Sequence, residues 1–161
     1  MLVSSRTGES FDVGRVTTSI VLAALVLGVP AHASLLESRT SVTDDHRLLH
    51  GTALKMTSTT AYDVYETTTP EGGHVRQFVN HDGRVFAIAW SGRFSPDLRQ
   101  LLASHYDQYV LAARVHRGGH HLLSISTPEL KLSIVQLPRG FAGSAHLPAL
   151  LPPGVKPDQL D

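Results

Sequence analysis

Ten histidines in a chain of 161 residues are the first place to look for chemistry, because imidazole ligates metals and exchanges protons near neutral pH. His46 and His50 stand four apart, a spacing that on a helix would turn both toward one metal. His116, His120 and His121 flank the pair Gly118-Gly119, and His74 and His81 bracket a short apolar segment. Zinc asks for three or four ligands converging on one point. No HExxH or paired spacing accompanies these groups, so His116, His120 and His121 form the strongest metal candidate, and solvated or structural histidine is the plainer reading. His105 falls within an apolar helical stripe. It reads as a hydrogen-bonded core histidine, or as a general base toward Ser91 or Ser95. Neither serine lies in a GxSxG elbow or an SxxK motif. Gly72-Gly73 and Gly118-Gly119 lack the surroundings of a phosphate loop. Tyr62, Tyr65, Trp90 and Phe94 could form an aromatic platform, or simply pack a core. No cofactor is indicated.

Composition narrows the function classes. Lys plus Arg equals Asp plus Glu at 14 each, so no net field draws in nucleic acid or an anionic membrane. The absence of cysteine removes disulfides, thiolate metal sites, a thiol nucleophile and a lipoprotein anchor. At the N-terminus, Arg6 and Arg15 precede the apolar run Ile20–Gly28 and the small-residue end Ala31-His32-Ala33. These are the parts of a secretory signal peptide, with cleavage expected after Ala33. The apolar run is too short to span a bilayer, so no stable membrane span is expected after cleavage. The expected compartment is the periplasm or the exterior.

Several elements would have to position any site. Residues 34–59, rich in Ser and Thr, read as a flexible N-terminal segment, and residues 60–161 as a single domain. Ala61–Thr68, His74–Asn80 and Arg84–Trp90 are rich in β-formers and separated by Pro70-Glu71-Gly72-Gly73 and Asp82-Gly83. A two-residue turn at Asp82-Gly83 pairs Val79 with Phe86, Gln77 with Ile88 and Val75 with Trp90. Val75, Val79, Phe86, Ile88 and Trp90 then share a face, joined by Tyr62 and Val64 through a turn at Glu71-Gly72. Ser95-Pro96-Asp97 starts a helix, with Ser95 as cap and Pro96 in the first turn. Leu98, Leu101, Leu102, His105, Tyr109, Ala112 and Ala113 form its apolar stripe. Leu122–Ser126 and Leu130–Leu137 read as a second hairpin. From Pro138 onward, five prolines and three glycines in 24 residues predict an irregular tail, 138–161, wrapped on the domain as coil. The expected fold is α+β: an antiparallel β-meander covered by one amphipathic helix, plus that hairpin and tail.

The block GGHVRQFVNHDGRVFAIAWSGRFSPDLRQLLASHYDQY, with the later FAGSAHLPALLPPGVKPDQL, resembles an uncharacterised family of small exported proteins of Gram-negative bacteria, domain of unknown function 2844. The matching pieces include Gly73, Val75-Arg76, Asp82-Gly83, Val85-Phe86-Ala87, Ala89-Trp90, Gly92, Pro96-Asp97-Leu98 and Leu101-Leu102. Tyr106, Phe141, Gly143, Leu147-Pro148 and Leu151-Pro152 complete them. The chain departs from the family at Ala103-Ser104, where a glycine is expected, and at His146, where an aromatic is usual. The resemblance implies export and one small domain, and brings no catalytic residue, cofactor or substrate.

The functional expectation is a non-catalytic binding or cell-envelope-associated domain with an unknown envelope or periplasmic partner. A histidine-based periplasmic metal-binding protein is the alternative, and a small hydrolase a third. With the apolar set turned inward, the candidate binding face is His74, Arg76, Phe78 and Asn80, together with Arg93 and Phe94 in the following loop.

Overall fold

A computed structural model of the chain describes residues 35–115 and 122–160. It contains one seven-stranded sheet in which every neighbouring pair is antiparallel. Helix α1 (Arg39–Leu48) comes first. Strands β1 (Ala53–Ser58), β2 (Tyr62–Thr68), β3 (His74–Asn80) and β4 (Val85–Gly92) follow as a meander. Helices α2 (Leu98–Leu102) and α3 (Tyr106–Val115) then lead to a second meander, β5 (Leu122–Ser126), β6 (Lys131–Leu137) and β7 (Gly140–His146). The two meanders join where β7 pairs with β4, giving the order β1-β2-β3-β4-β7-β6-β5. The α+β class is therefore the expected one. The tail is not all coil, however, because Gly140–His146 form β7, an interior strand of the sheet between β4 and β6.

The β2–β3 and β3–β4 turns depart from the expected register in the same way. Asn80 N–H donates to the Arg84 carbonyl, Gly83 N–H donates to the Asn80 carbonyl, and Gly83 has φ +77°. This is a three-residue loop, a type I turn closed by a glycine in the left-handed region. Thr69, Gly72 and Gly73 repeat it, with Gly72 also at φ +77°. The two-residue turn expected at Asp82-Gly83 needs positive φ at both central positions, and here only the glycine has it. A one-residue change in loop length moves each side chain to the opposite face. Tyr62 and Val64 accordingly align with Asn80 and Phe78, not with Val75 and Val79. Between β3 and β4 the slip is undone within the strand. Val79 pairs with Val85 and Phe78 with Ala87, so Phe86 is the extra residue of a bulge. Beyond it, Gln77–Ile88 and Val75–Trp90 pair as expected, while Phe86 joins Phe78 on the other side.

The sheet consequently has two cores. On one face Val75, Val79, Val85, Ile88 and Trp90 pack with Ile125, Leu132 and Ala145 under Val42 of α1 and Leu98, Leu101 and Leu102 of α2. On the other, Phe78, Phe86, Ala87 and Ala89 pack with Tyr62, Val64 and the segment Leu150–Leu160. Tyr62 meets Phe78 and Phe86 edge-on at 5.8 Å each. The unbroken burial of Val85 through Trp90 is what a central strand covered on both faces requires.

Residues 34–59, expected to be flexible, carry α1 and β1. Leu35 is buried, Leu36 N–H donates to the Val85 carbonyl, and Val85 N–H donates to that of Glu37. Asp45, on the inner side of α1, is fully buried and accepts from Gln77 Nε2 at 2.7 Å and Gln100 Nε2 at 2.6 Å. One carboxylate thereby ties α1 to β3 and α2. Arg39 adds an ion pair to Asp63 at 2.7 Å. The expected single helix is broken: α2 is capped by Asp97, not Ser95, and ends at Ala103 with φ +41°. A short 3-10 turn, Ala103–His105, then leads into α3.

Candidate binding face

With one face roofed by helices and part of the other by the C-terminal segment, a region of the second face stays open around the β3–β4–β7–β6 junction. Its composition follows from register. Arg76 lies beside Ala89, Ala89 beside Ser144, Ser144 beside Ser133, and Ser133 beside Ser124, forming one row across five strands. The next row is His74, Ser91, Ala142 and Val135. The small side chains of both rows leave a depression of about 270 Å³, with His74 and Arg76 on one side and Ser133 and Val135 on the other. It is open to solvent. At its β4 end, Ser91 also lines a smaller recess of about 120 Å³ shared with His74, Arg93, Phe94 and Ser95.

The polar groups here are only partly engaged. His74 Nδ1 lies 3.1 Å from Glu66 Oε1. The Arg76 guanidinium stands 6.0 Å from the centre of the Phe78 ring, within reach of a cation–π contact. Arg93 stands 5.7 Å from the Phe94 ring, which is 62% exposed.

Of the face expected from sequence, His74 and Arg76 border the depression, and Arg93 and Phe94 border the adjoining recess. Phe78 and Asn80 are buried, 2% and 7% exposed. The reason is again the turn: the slip brings Tyr62 and Val64 onto their side, and the C-terminal segment covers that half. Ser133, Ser144 and Ala142 were missed because they lie in the second meander. Only the pairing of β7 with β4 brings them to His74 and Arg76.

Other candidates are dispersed. His50 lies beyond the end of α1 with φ +52° and does not share a helix face with His46, whose ring packs on Gly51 and sits 3.4 Å from Thr67. His81 is at a turn. His116, His120 and His121 lie outside the described residues. Among the described residues, no three His, Asp or Glu side chains gather as a metal site. His105 sits 3.3 Å from Ser104, and the recess that holds Ser91 and Ser95 is lined by His74 instead. Trp90 is buried on the helix face, Tyr62 is partly buried on the other, and Phe94 is in a loop, so these three do not form an aromatic platform.

Fold and site define a small α+β domain, one antiparallel sheet roofed by helices on one face and carrying a shallow polar depression on the other. By sequence the chain belongs to the family of proteins of unknown function DUF2844, whose model matches residues 31–160. No curated protein and no solved structure matches it. No helix among the described residues is long and apolar enough to cross a membrane.

Proposed function

We propose that the protein is an exported envelope domain that binds a small polar ligand, without catalysis, in the depression bordered by His74 and Arg76. The observation that carries this reading is the choice of side chains on the open face. Ala89, Ala142, Ser144 and Ser133 stand where a merely solvated sheet would accept long charged residues, and their small size creates the concavity. Sites of this kind combine a shaped floor with a few polar groups at its margin. Native mass spectrometry of the full chain purified from a Gram-negative periplasm tests it. A bound small molecule is expected, and Ser144→Phe, which fills the depression from its floor, should abolish it. A ligand retained by that folded variant would move the site elsewhere. Export has a separate test: the mature chain should begin at Ser34, and an intact Met1 in the periplasmic fraction would refute it.

A second reading has one specific observation in its favour. Glu66, His74 and Ser91 follow one another across β2, β3 and β4, with His74 held by Glu66 and directly opposite Ser91. A carboxylate, an imidazole and a hydroxyl in that order are the parts of an activated serine. Ester hydrolysis lost on both Ser91→Ala and His74→Ala would replace binding by catalysis.

A further inference from the structure

We propose that Arg76 anchors an oxyanion subsite, so that the ligand of the open face carries a carboxylate or phosphate group. This rests on the reading of that face as the binding face, and it adds the ligand's charge. Register places Glu66 directly opposite Arg76 on the neighbouring strand, where an opposite charge would ordinarily pair with it. Glu66 instead turns to His74 at 3.1 Å. The ion pairs Arg39–Asp63, Arg47–Asp44 and His74–Glu66 do not use Arg76. Its guanidinium keeps a planar fork of N–H donors whose geometry matches a carboxylate or phosphate edge.

The ground beside Arg76 suits such a guest. The next residue in the row is Ala89, whose methyl leaves space, and Ser144 follows one strand further on. Arg76 and Ser144 are thus two strand spacings apart, about 10 Å, with only Ala89 between them. The hydroxyls of Ser144, Ser133 and Ser91 make no side-chain hydrogen bond within the described residues, and all three line the depression. An oxyanion over Ala89 can take two N–H bonds from Arg76 and one O–H bond from Ser144. The body of the ligand then runs along Ser133 toward Ser124. Of the nearby carboxylates among the described residues, which would oppose an anion, Glu66 is occupied by His74 and Glu71 lines the adjoining recess.

The test is an NMR titration of the 15N-labelled full chain with sodium phosphate and, separately, sodium acetate, against sodium chloride at matched ionic strength. Saturable shifts are expected at Arg76 Nε–H and at the amides of Ala89 and Ser144, and chloride should not reproduce them. Phosphate and acetate affinities together say which oxyanion the subsite prefers. Arg76→Gln should weaken the preferred ion at least about tenfold, as loss of a charge-assisted bond demands, with an unchanged thermal midpoint showing that the fold survives. Arg76→Lys should recover only part of the loss, because an ammonium cannot form the fork. Equal affinity in Arg76→Gln, or no saturable shift with either ion, overturns the oxyanion subsite. A native ligand that is neutral yet displaced by Ser144→Phe would overturn it while leaving the binding face intact.

Discussion

Gly143 is a point at which one methyl group should destabilise the whole sheet. It lies on β7 opposite Trp90 of β4, and the indole occupies the space a side chain would need. A Cβ built there would stand 2.3 Å from Trp90 Cζ2, 2.6 Å from Cε2 and 2.9 Å from the Ser133 carbonyl oxygen. Normal carbon–carbon contact is about 3.5–4.0 Å, so the ring would have to retreat by more than about 1 Å. It has little room, being 3% exposed and packed among the residues of the helix-side core. Overpacking of this kind costs typically about 1–3 kcal/mol. Replacing glycine where φ is ordinary returns about 0.4–1 kcal/mol by restricting the unfolded chain. Gly143→Ala should therefore lose a net of roughly 1–2 kcal/mol, read as a lower urea midpoint with an unchanged slope. A double-mutant cycle isolates the cause. Trp90→Phe removes the two indole carbons concerned and breaks no hydrogen bond, since Trp90 Nε1 has no partner among the described residues. In that background the Gly143→Ala loss should shrink by about 1 kcal/mol, a coupling typical of residues in contact. A loss under about 0.5 kcal/mol, ordinary for a surface substitution, or one unaltered by Trp90→Phe, would refute the reasoning.

Ala103, at φ +41° and ψ −113° between α2 and α3, occupies backbone space that suits glycine. Relief of about 1–3 kcal/mol of strain, less the entropy glycine adds to the unfolded chain, makes Ala103→Gly stabilising by about 1 kcal/mol. Differential scanning calorimetry should show a midpoint a few degrees higher, and a lower one would rule out strain there. Asp45→Ala leaves the amides of Gln77 and Gln100 without their acceptor, at about 1–3 kcal/mol for each buried group. Urea unfolding should lose about 2 kcal/mol or more, whereas Leu48→Ala on the exposed side of the same helix should lose far less.

The legible parts of this fold were those with a local cause. The apolar run Val85–Trp90 and the Asp82-Gly83 and Glu71-Gly72 turns located three strands, and Asp97 with Leu98, Leu101 and Leu102 located a helix start and its inner face. Turn residues do not fix loop length: Asp-Gly serves a two-residue and a three-residue hairpin equally, because both need positive φ at the glycine. The difference of one residue decided which side Tyr62 and Val64 take. Phe86 falls on the face opposite to the one its alternation with Ile88 and Trp90 indicates, because a bulge is stabilised by packing on both sides of a strand and strict alternation allows for only one core. The segment Gly140–His146 carries two glycines and no large apolar run after Phe141, so its strand propensity is poor. It becomes a strand because β4 and β6 offer it hydrogen bonds on both edges, a tertiary cause that no local pattern contains.

That same dependence on tertiary context argues for a functional reason behind the open face. Gly143 is small for a structural cause, the indole above it. Ala142 and Ser144 flank Gly143 but point the other way, toward the depression, where no ring or helix restricts their size. Ser133, Ser91 and the half-buried Arg76 share that freedom. A solvated sheet face accepts Thr, Val or Tyr side chains at such positions, and these would serve strand propensity better than alanine. Folding therefore accounts for the small residues on the covered side of β7 but not for those on its open side. The shape they leave lies beside a guanidinium with no ion pair among the described residues, and the proposed oxyanion ligand would account for both.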